Sequence, residues 1–168
     1  AILMTTTLPF SNIKGQLPDN EMEQIIQKLI VNRSGDIEKI EELLKLKTEV
    51  DSITSNAFFT VYTWHSDKSE FPFTNMEMRL PVPESKATKE CLFIFDLEKD
   101  NRFTKAYLTE QFGDSIQVVP PRPGQLGEQT TYYQIEGKNN TLSFGFLNDN
   151  NFCNSIVLRY SIESSVLH

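Results

Sequence analysis

The 168-residue chain predicts an α+β fold in which N-terminal helices pack on an antiparallel sheet. Two observations predict it. Apolar residues recur at helical spacing between residues 22 and 46, and from Asn56 onward the apolar period changes to two. The strand-like runs are separated by Gly- and Asn-rich turns, as hairpins prefer. A chain of this length is expected to form one domain, residues 1–168, and to bury about 70% of its unfolded surface without disulfide or metal staples.

Residues 1–17 show no period and read as an extended lead-in bounded by Gly15 and Pro18. Met22, Ile25, Ile26, Leu29 and Ile30 then fall on one helical face. Asn20 is placed to cap this helix, Glu23 stands where a capping box wants it, and Ser34-Gly35 should stop it. A second helix opens at Asp36 with Ile37, Ile40, Leu43, Leu44 and Leu46 inward. Glu38, Glu41 and Glu42 lie outward, Glu41 at four-residue spacing from Lys45.

Phe59, Val61 and Thr63 alternate with Phe58, Thr60, Tyr62 and Trp64, which predicts a strand. Met76, Met78 and Leu80 alternate with Glu77 and Arg79, and Pro81 and Pro83 end that run. Leu92-Phe93-Ile94-Phe95 has no polar side at all, which suits a central strand with bulk on both faces. Thr104 should cap a third helix, with Phe103 and Leu108 as a hydrophobic staple and Gly113 as its stop. Residues 116–119 form a short strand candidate, and Pro120-Pro121-Arg122-Pro123-Gly124 breaks regular structure. Strands are then expected over 130–135, 141–146 and 153–160, with turns at 136–140 and 148–151.

The order of elements repeats. Residues 20–98 read helix, aromatic strand with Tyr62 and Trp64, alternating strand, and a strand opening with Cys91. Residues 102–162 read helix, aromatic strand with Tyr132 and Tyr133, alternating strand, and a strand opening with Cys153. Two helix-plus-sheet units in tandem are therefore expected. The stretch Phe103-Thr104-Lys105-Ala106-Tyr107-Leu108, Phe112-Gly113, Thr131-Tyr132-Tyr133 and Leu142-Ser143-Phe144-Gly145-Phe146 resembles the helix–Gly–strand–strand pattern of the β-lactamase-inhibitor-protein and outer-membrane-assembly-lipoprotein group. The resemblance covers residues 102–160 and, more loosely, 36–98, and lies in element order rather than in a specific motif. The chain departs from the pattern in lacking a Gly before the helix and in its added Pro loop. The resemblance implies a non-enzymatic protein whose sheet clamps a partner.

Charge excludes some partners. The formal net charge is −7, and the largest basic feature is the pair Lys45 and Lys47. Nucleic acid and anionic membrane need clustered Lys/Arg, so neither is expected, whereas a basic protein partner would associate faster. No apolar run is long enough to span a membrane as a helix. A periplasmic location is expected if a signal preceded Ala1, and a cytoplasmic one if Met4 is the native start.

Chemistry is sparse. The only histidines are His65 and His168, and no CxxC occurs, so no metal or cofactor is expected. Asp96, Glu98 and Asp100 alternate as in a calcium loop, but the closing Glu is missing, and they read as a solvated turn. Trp64-His65-Ser66-Asp67 holds triad residue types, yet neighbours on a strand point to opposite faces. Cys91 or Cys153 with His65 is the remaining nucleophile–base pairing, and the two cysteines could equally pair with each other. The expectation is a protein that is not an enzyme: an immunity or inhibitor protein that occludes a toxin or enzyme. Its partner-binding residues would be Trp64, Tyr62, Tyr132 and Tyr133 as aromatic anchors, with Asp67, Glu70 and Glu77 supplying charge. The alternatives are an envelope assembly module, and a small-molecule binder or enzyme built around a pocket containing His65.

Overall fold

The computed structural model of the chain describes residues 21–66, 71–85, 89–99, 101–124 and 126–162. The extended lead-in, the Asn20 cap and residues Asp67, Glu70 and Asp100 lie outside the described residues. Three helices, α1 (Glu21–Asn32), α2 (Ile37–Leu44) and α3 (Lys105–Phe112), accompany eight strands: β1 (Glu49–Asp51), β2 (Phe59–His65), β3 (Asn75–Pro81), β4 (Glu90–Asp96), β5 (Gln117–Val119), β6 (Thr130–Glu136), β7 (Asn140–Leu147) and β8 (Ser155–Ser161). The class is α+β, as the change of period predicts. All strands pair antiparallel in one sheet of order β1-β2-β3-β4-β8-β7-β6-β5. Each half thus contributes one helix followed by four consecutive strands, α2 with β1–β4 and α3 with β5–β8. The halves meet along the β4–β8 ladder.

The helix signals act through local chemistry. Asp36 caps α2, its side chain accepting from the Glu38 N–H, and Thr104 caps α3 by accepting from Tyr107 N–H. The α1 stop is shifted: Arg33, not Gly35, takes the left-handed conformation, at φ 44°. Gly35 serves a different need. A Cβ there would sit 2.6 Å from Ile162 Cδ1, so the α1–α2 turn lies close against the end of β8 and a side chain at 35 would displace Ile162. Tyr160 Oη, donating to the Ser34 carbonyl at 2.5 Å, fixes the same turn.

The core fills one face of the sheet. Register places Trp64, Met76, Phe95, Ile156, Phe144 and Tyr133 in one row, and Tyr62, Met78, Phe93, Leu158, Leu142 and Ile135 in the next. Met22, Ile26, Leu29, Ile40, Leu44 and Leu108 from the helices complete this cluster. Packed rings run through it, Phe93 stacked on Tyr160 and Phe103 tilted against Phe144, each at 5.4 Å between centroids. Glu23 is the one buried charged residue among those described, and Tyr107 Oη donates to it at 2.9 Å, clasping α1 to α3. Its carboxylate therefore links two helices in addition to its place in the α1 first turn.

Glu41 pairs with Lys47 at 3.5 Å rather than with Lys45. Lys45 leaves the helix in a left-handed C-cap at φ 56°, and the returning chain brings Lys47 and Thr48 back to Glu41 instead.

Candidate functional site

Because side chains alternate, the rows that build the core leave a second set of rows on the opposite face. One runs Val61, Arg79, Leu92, Arg159, Thr141, Glu136. The next runs Thr63, Glu77, Ile94, Val157, Ser143, Gln134, Gln117. A third runs His65, Asn75, Asp96, Ser155, Gly145, Tyr132, Val119. No described helix contributes a residue to this face, and none of its residues belongs to the core cluster.

At the seam between the halves this open face is apolar. Leu92, Ile94 and Val157 are half-buried side by side, with Tyr132 two strands away. They floor a groove of about 590 Å³ whose walls include Thr130, Gln134, Thr141 and Ser143 and whose rim is the Pro120-Pro121-Arg122 loop. A second hollow of about 440 Å³, whose lining includes Phe58, Phe59, Arg79 and Glu90, shares Leu92 and Arg159 with the first. The two form one trough across the strands. The Tyr132 ring lies close to Gly145: a Cβ at Gly145 would come within 3.1 Å of it and 2.6 Å of Ser155 Oγ.

The predicted aromatic anchors divide between the faces. Tyr132 is on the open face. Tyr62, Trp64 and Tyr133 are on the helix-covered face, where Trp64 meets Phe71 and Phe73 edge-on at 4.9 and 5.2 Å, and Tyr133 packs on Phe146 at 5.2 Å. They form the margins of the core. Glu77 is on the open face, and Arg79 Nε donates to it at 2.8 Å. The groove residues Leu92, Ile94, Val157 and Arg159 were missed as a group. Their signal was the run Leu92–Phe95 and its partner Ile156–Leu158, apolar on both sides of the strand.

Of the acids expected to supply charge, Glu77 stands beside Ile94 on the open face, and Asp67 and Glu70 lie outside the described residues. The exposed acids Glu38 and Glu42 lie on α2, across the sheet from the groove. No carboxylate lines the larger hollow among the described residues, whereas two arginines do, Arg122 and Arg159, and both are exposed.

The candidate nucleophiles are remote from the only described histidine. His65 stands at the exposed end of β2 on the open face, with Nδ1 hydrogen-bonded to Asn75 Oδ1, and it lines neither hollow. Cys91 is fully buried on the core face, so it cannot meet His65 across the sheet. Cys91 and Cys153 are both free, not joined. Burial pushes each thiol up to about 12, so both are protonated at neutral pH. Among the described residues no group of His, Cys, Asp and Glu is placed to hold a metal, and no helix is long and apolar enough to cross a membrane. Comparison with protein-family models, with characterised proteins and with solved structures finds no match to this chain.

Proposed function

We propose that the chain is a non-catalytic protein-binding module, of the immunity or inhibitor type, that presses the open face of its sheet onto a toxin or enzyme and occludes that protein's active site. The observation that carries this reading is the apolar seam of Leu92, Ile94 and Val157 with Tyr132, which no described helix covers, on an antiparallel sheet. An apolar patch bordered by polar side chains is what an interface needs, a water-excluding centre inside a wetter rim. The resemblance in element order to tandem helix-plus-sheet inhibitors points the same way.

The test is affinity capture from source lysate with the wild-type chain and with Ile94→Asp and Tyr132→Ala, followed by titration of the captured protein's activity. The reading expects one partner, lost on Ile94→Asp, whose activity falls to zero near equimolar wild-type chain. A partner retained equally by both variants, or turnover by the isolated chain, overturns it. The groove volume of about 590 Å³ supports a second reading, since small-molecule sites span roughly 300–1,000 Å³. That reading expects saturable binding of a small apolar anion in the absence of any protein.

A further inference from the structure

We propose that the trough on the open face takes an extended acidic segment of the partner, one whose carboxylates alternate with apolar side chains. This rests on the reading of the open face as the binding surface and specifies what enters it.

The argument starts from charge. The whole chain carries −7, yet among the described residues the larger hollow is lined by Arg159, has Arg122 on its rim and holds no Asp or Glu. The smaller one sets Glu90 against Arg79 and Arg159, so arginines outnumber acids along the trough. Neither arginine forms an ion pair with a described residue. Arg79, by contrast, is already engaged, by Glu77 at 2.8 Å and by the Phe59 ring 5.6 Å from its guanidinium. Arg159 belongs to both hollows, so it stands midway along the trough. An arginine held beside apolar side chains is suited to bind a carboxylate through two parallel N–H donors.

Shape sets the rest. The trough reaches from β2 residues to β6 and the loop before it, crossing five inter-strand gaps in the order β2-β3-β4-β8-β7-β6. At about 4.8 Å per gap this is about 24 Å, the reach of about seven extended residues. By strand order Thr141, Ser143, Gln134 and Tyr132 lie between Arg159 on β8 and the loop that carries Arg122, while Leu92 and Ile94 on β4, with Val157 on β8, floor the hollow beside Arg159. A compact anion such as phosphate would reach one guanidinium only, whereas an extended chain crossing the strands can set apolar side chains on Leu92, Ile94, Val157 and Tyr132 and carboxylates at Arg159 and Arg122. The chain's own residues 1–18 do not match this chemistry, since their only charged residue is Lys14. Strand addition at the sheet edges is a poorer route for a partner, because β1 and β5 are three residues each and Pro120 follows β5 directly.

The test is selection of random peptides of about eight residues, displayed on phage, on the immobilised full-length chain. Parallel selections use Arg122→Gln/Arg159→Gln and Ile94→Asp, each checked by circular dichroism. The expected result is enrichment of sequences in which Asp or Glu alternates with Val, Ile or Leu. As synthetic peptides these should bind about tenfold more weakly to the double arginine variant, and weaken with salt. Neutral or basic winners that bind the arginine variant normally but fail on Ile94→Asp overturn the acidic segment and leave the open-face reading standing. Winners unaffected by either variant, or no enrichment at all, overturn both. Displacement of the peptides by millimolar inorganic phosphate alone would assign the arginines to a small anion and overturn the proposal.

Discussion

Gly145 is the position at which packing on the open face can be measured most directly. Its backbone is not in the left-handed region, so alanine is conformationally allowed, but the added methyl would lie 2.6 Å from Ser155 Oγ, 3.1 Å from the Tyr132 ring and 3.2 Å from Thr130 Cγ2. Contacts of this kind force side chains off their preferred rotamers and cost about 1–3 kcal/mol. Replacing Gly by Ala within a strand returns about 0.5–1 kcal/mol of backbone entropy. The expected net destabilisation is about 1–2 kcal/mol, which lowers Tm by about 2–8 °C for a chain of this size. Urea unfolding followed by circular dichroism and by Trp64 fluorescence would measure it. Trp64 packs on the covered face of the other half, so it reports unfolding rather than the local clash.

The magnitude can be apportioned. Ser155→Ala removes the nearest atom, and Tyr132→Ala removes the ring. If the ring cannot yield, the cost of Gly145→Ala should fall by at least about 0.5 kcal/mol in the Tyr132→Ala background. An unchanged or raised Tm for Gly145→Ala, or equal costs in all three backgrounds, would refute the claim that Tyr132 is held close against the β7 backbone.

Other outcomes follow from the same geometry. Phe95→Ala, on the fully buried face, should cost about 3–5 kcal/mol, while Ile94→Ala, its neighbour on the open face, should cost under about 1.5 kcal/mol, as read from urea midpoints. Thr104→Ala should lose about 1 kcal/mol with the α3 cap, most of it restored by Thr104→Ser. Both thiols should resist Ellman's reagent in the native chain at neutral pH and react together on unfolding, since Cys91 and Cys153 are buried and protonated. The Thr48 backbone N–H, 2.7 Å from Glu41 Oε2, holds that carboxyl below its usual value, with Lys47 assisting. A lowered folded-state value means that the stabilisation is complete above the unfolded pKa of about 4.3 and is lost as pH falls through the folded one. Glu41→Gln should therefore lower the urea midpoint at neutral pH and have little effect once both forms are protonated.

The fold was readable to the extent that local rules decide it. The α2 and α3 caps are chemical devices within a few residues; the sequence opens α2 at Asp36, the residue that caps it, and names Thr104 as the α3 cap. The alternation of Met76, Met78 and Leu80 with Glu77 and Arg79 gives β3 and its buried side directly. Strand β1 escaped because three residues, two of them acidic, show no alternation, and β2 holds them in place. The anchors were harder for a general reason. Alternation says which side chains share a face but not which face the helices will cover. Tyr132 and Tyr133 are adjacent and must part company, yet only the register of β6 on β7, with Tyr133 opposite Phe144, shows which of them joins the core. The charge on the open face is likewise a tertiary property, for Arg122 and Arg159 stand far apart in sequence and come to line one hollow only in the folded sheet.

One sequence feature nevertheless reaches through to the site. A sheet covered on one side should alternate apolar-in with polar-out, and β3 and the later part of β7 do. The two strands at the seam break that rule. Leu92-Phe93-Ile94-Phe95 and Ile156-Val157-Leu158 are apolar on both faces, a pattern normal for strands buried on both sides. In this sheet the helices cover only Phe93, Phe95, Ile156 and Leu158, and the opposite row of Leu92, Ile94 and Val157 has no described layer over it. A sequence selected only to fold would be more stable against aggregation with Thr or Lys at those three positions. Their apolar character is explained when a second surface covers the seam, and the arginines beside it give that surface its sign.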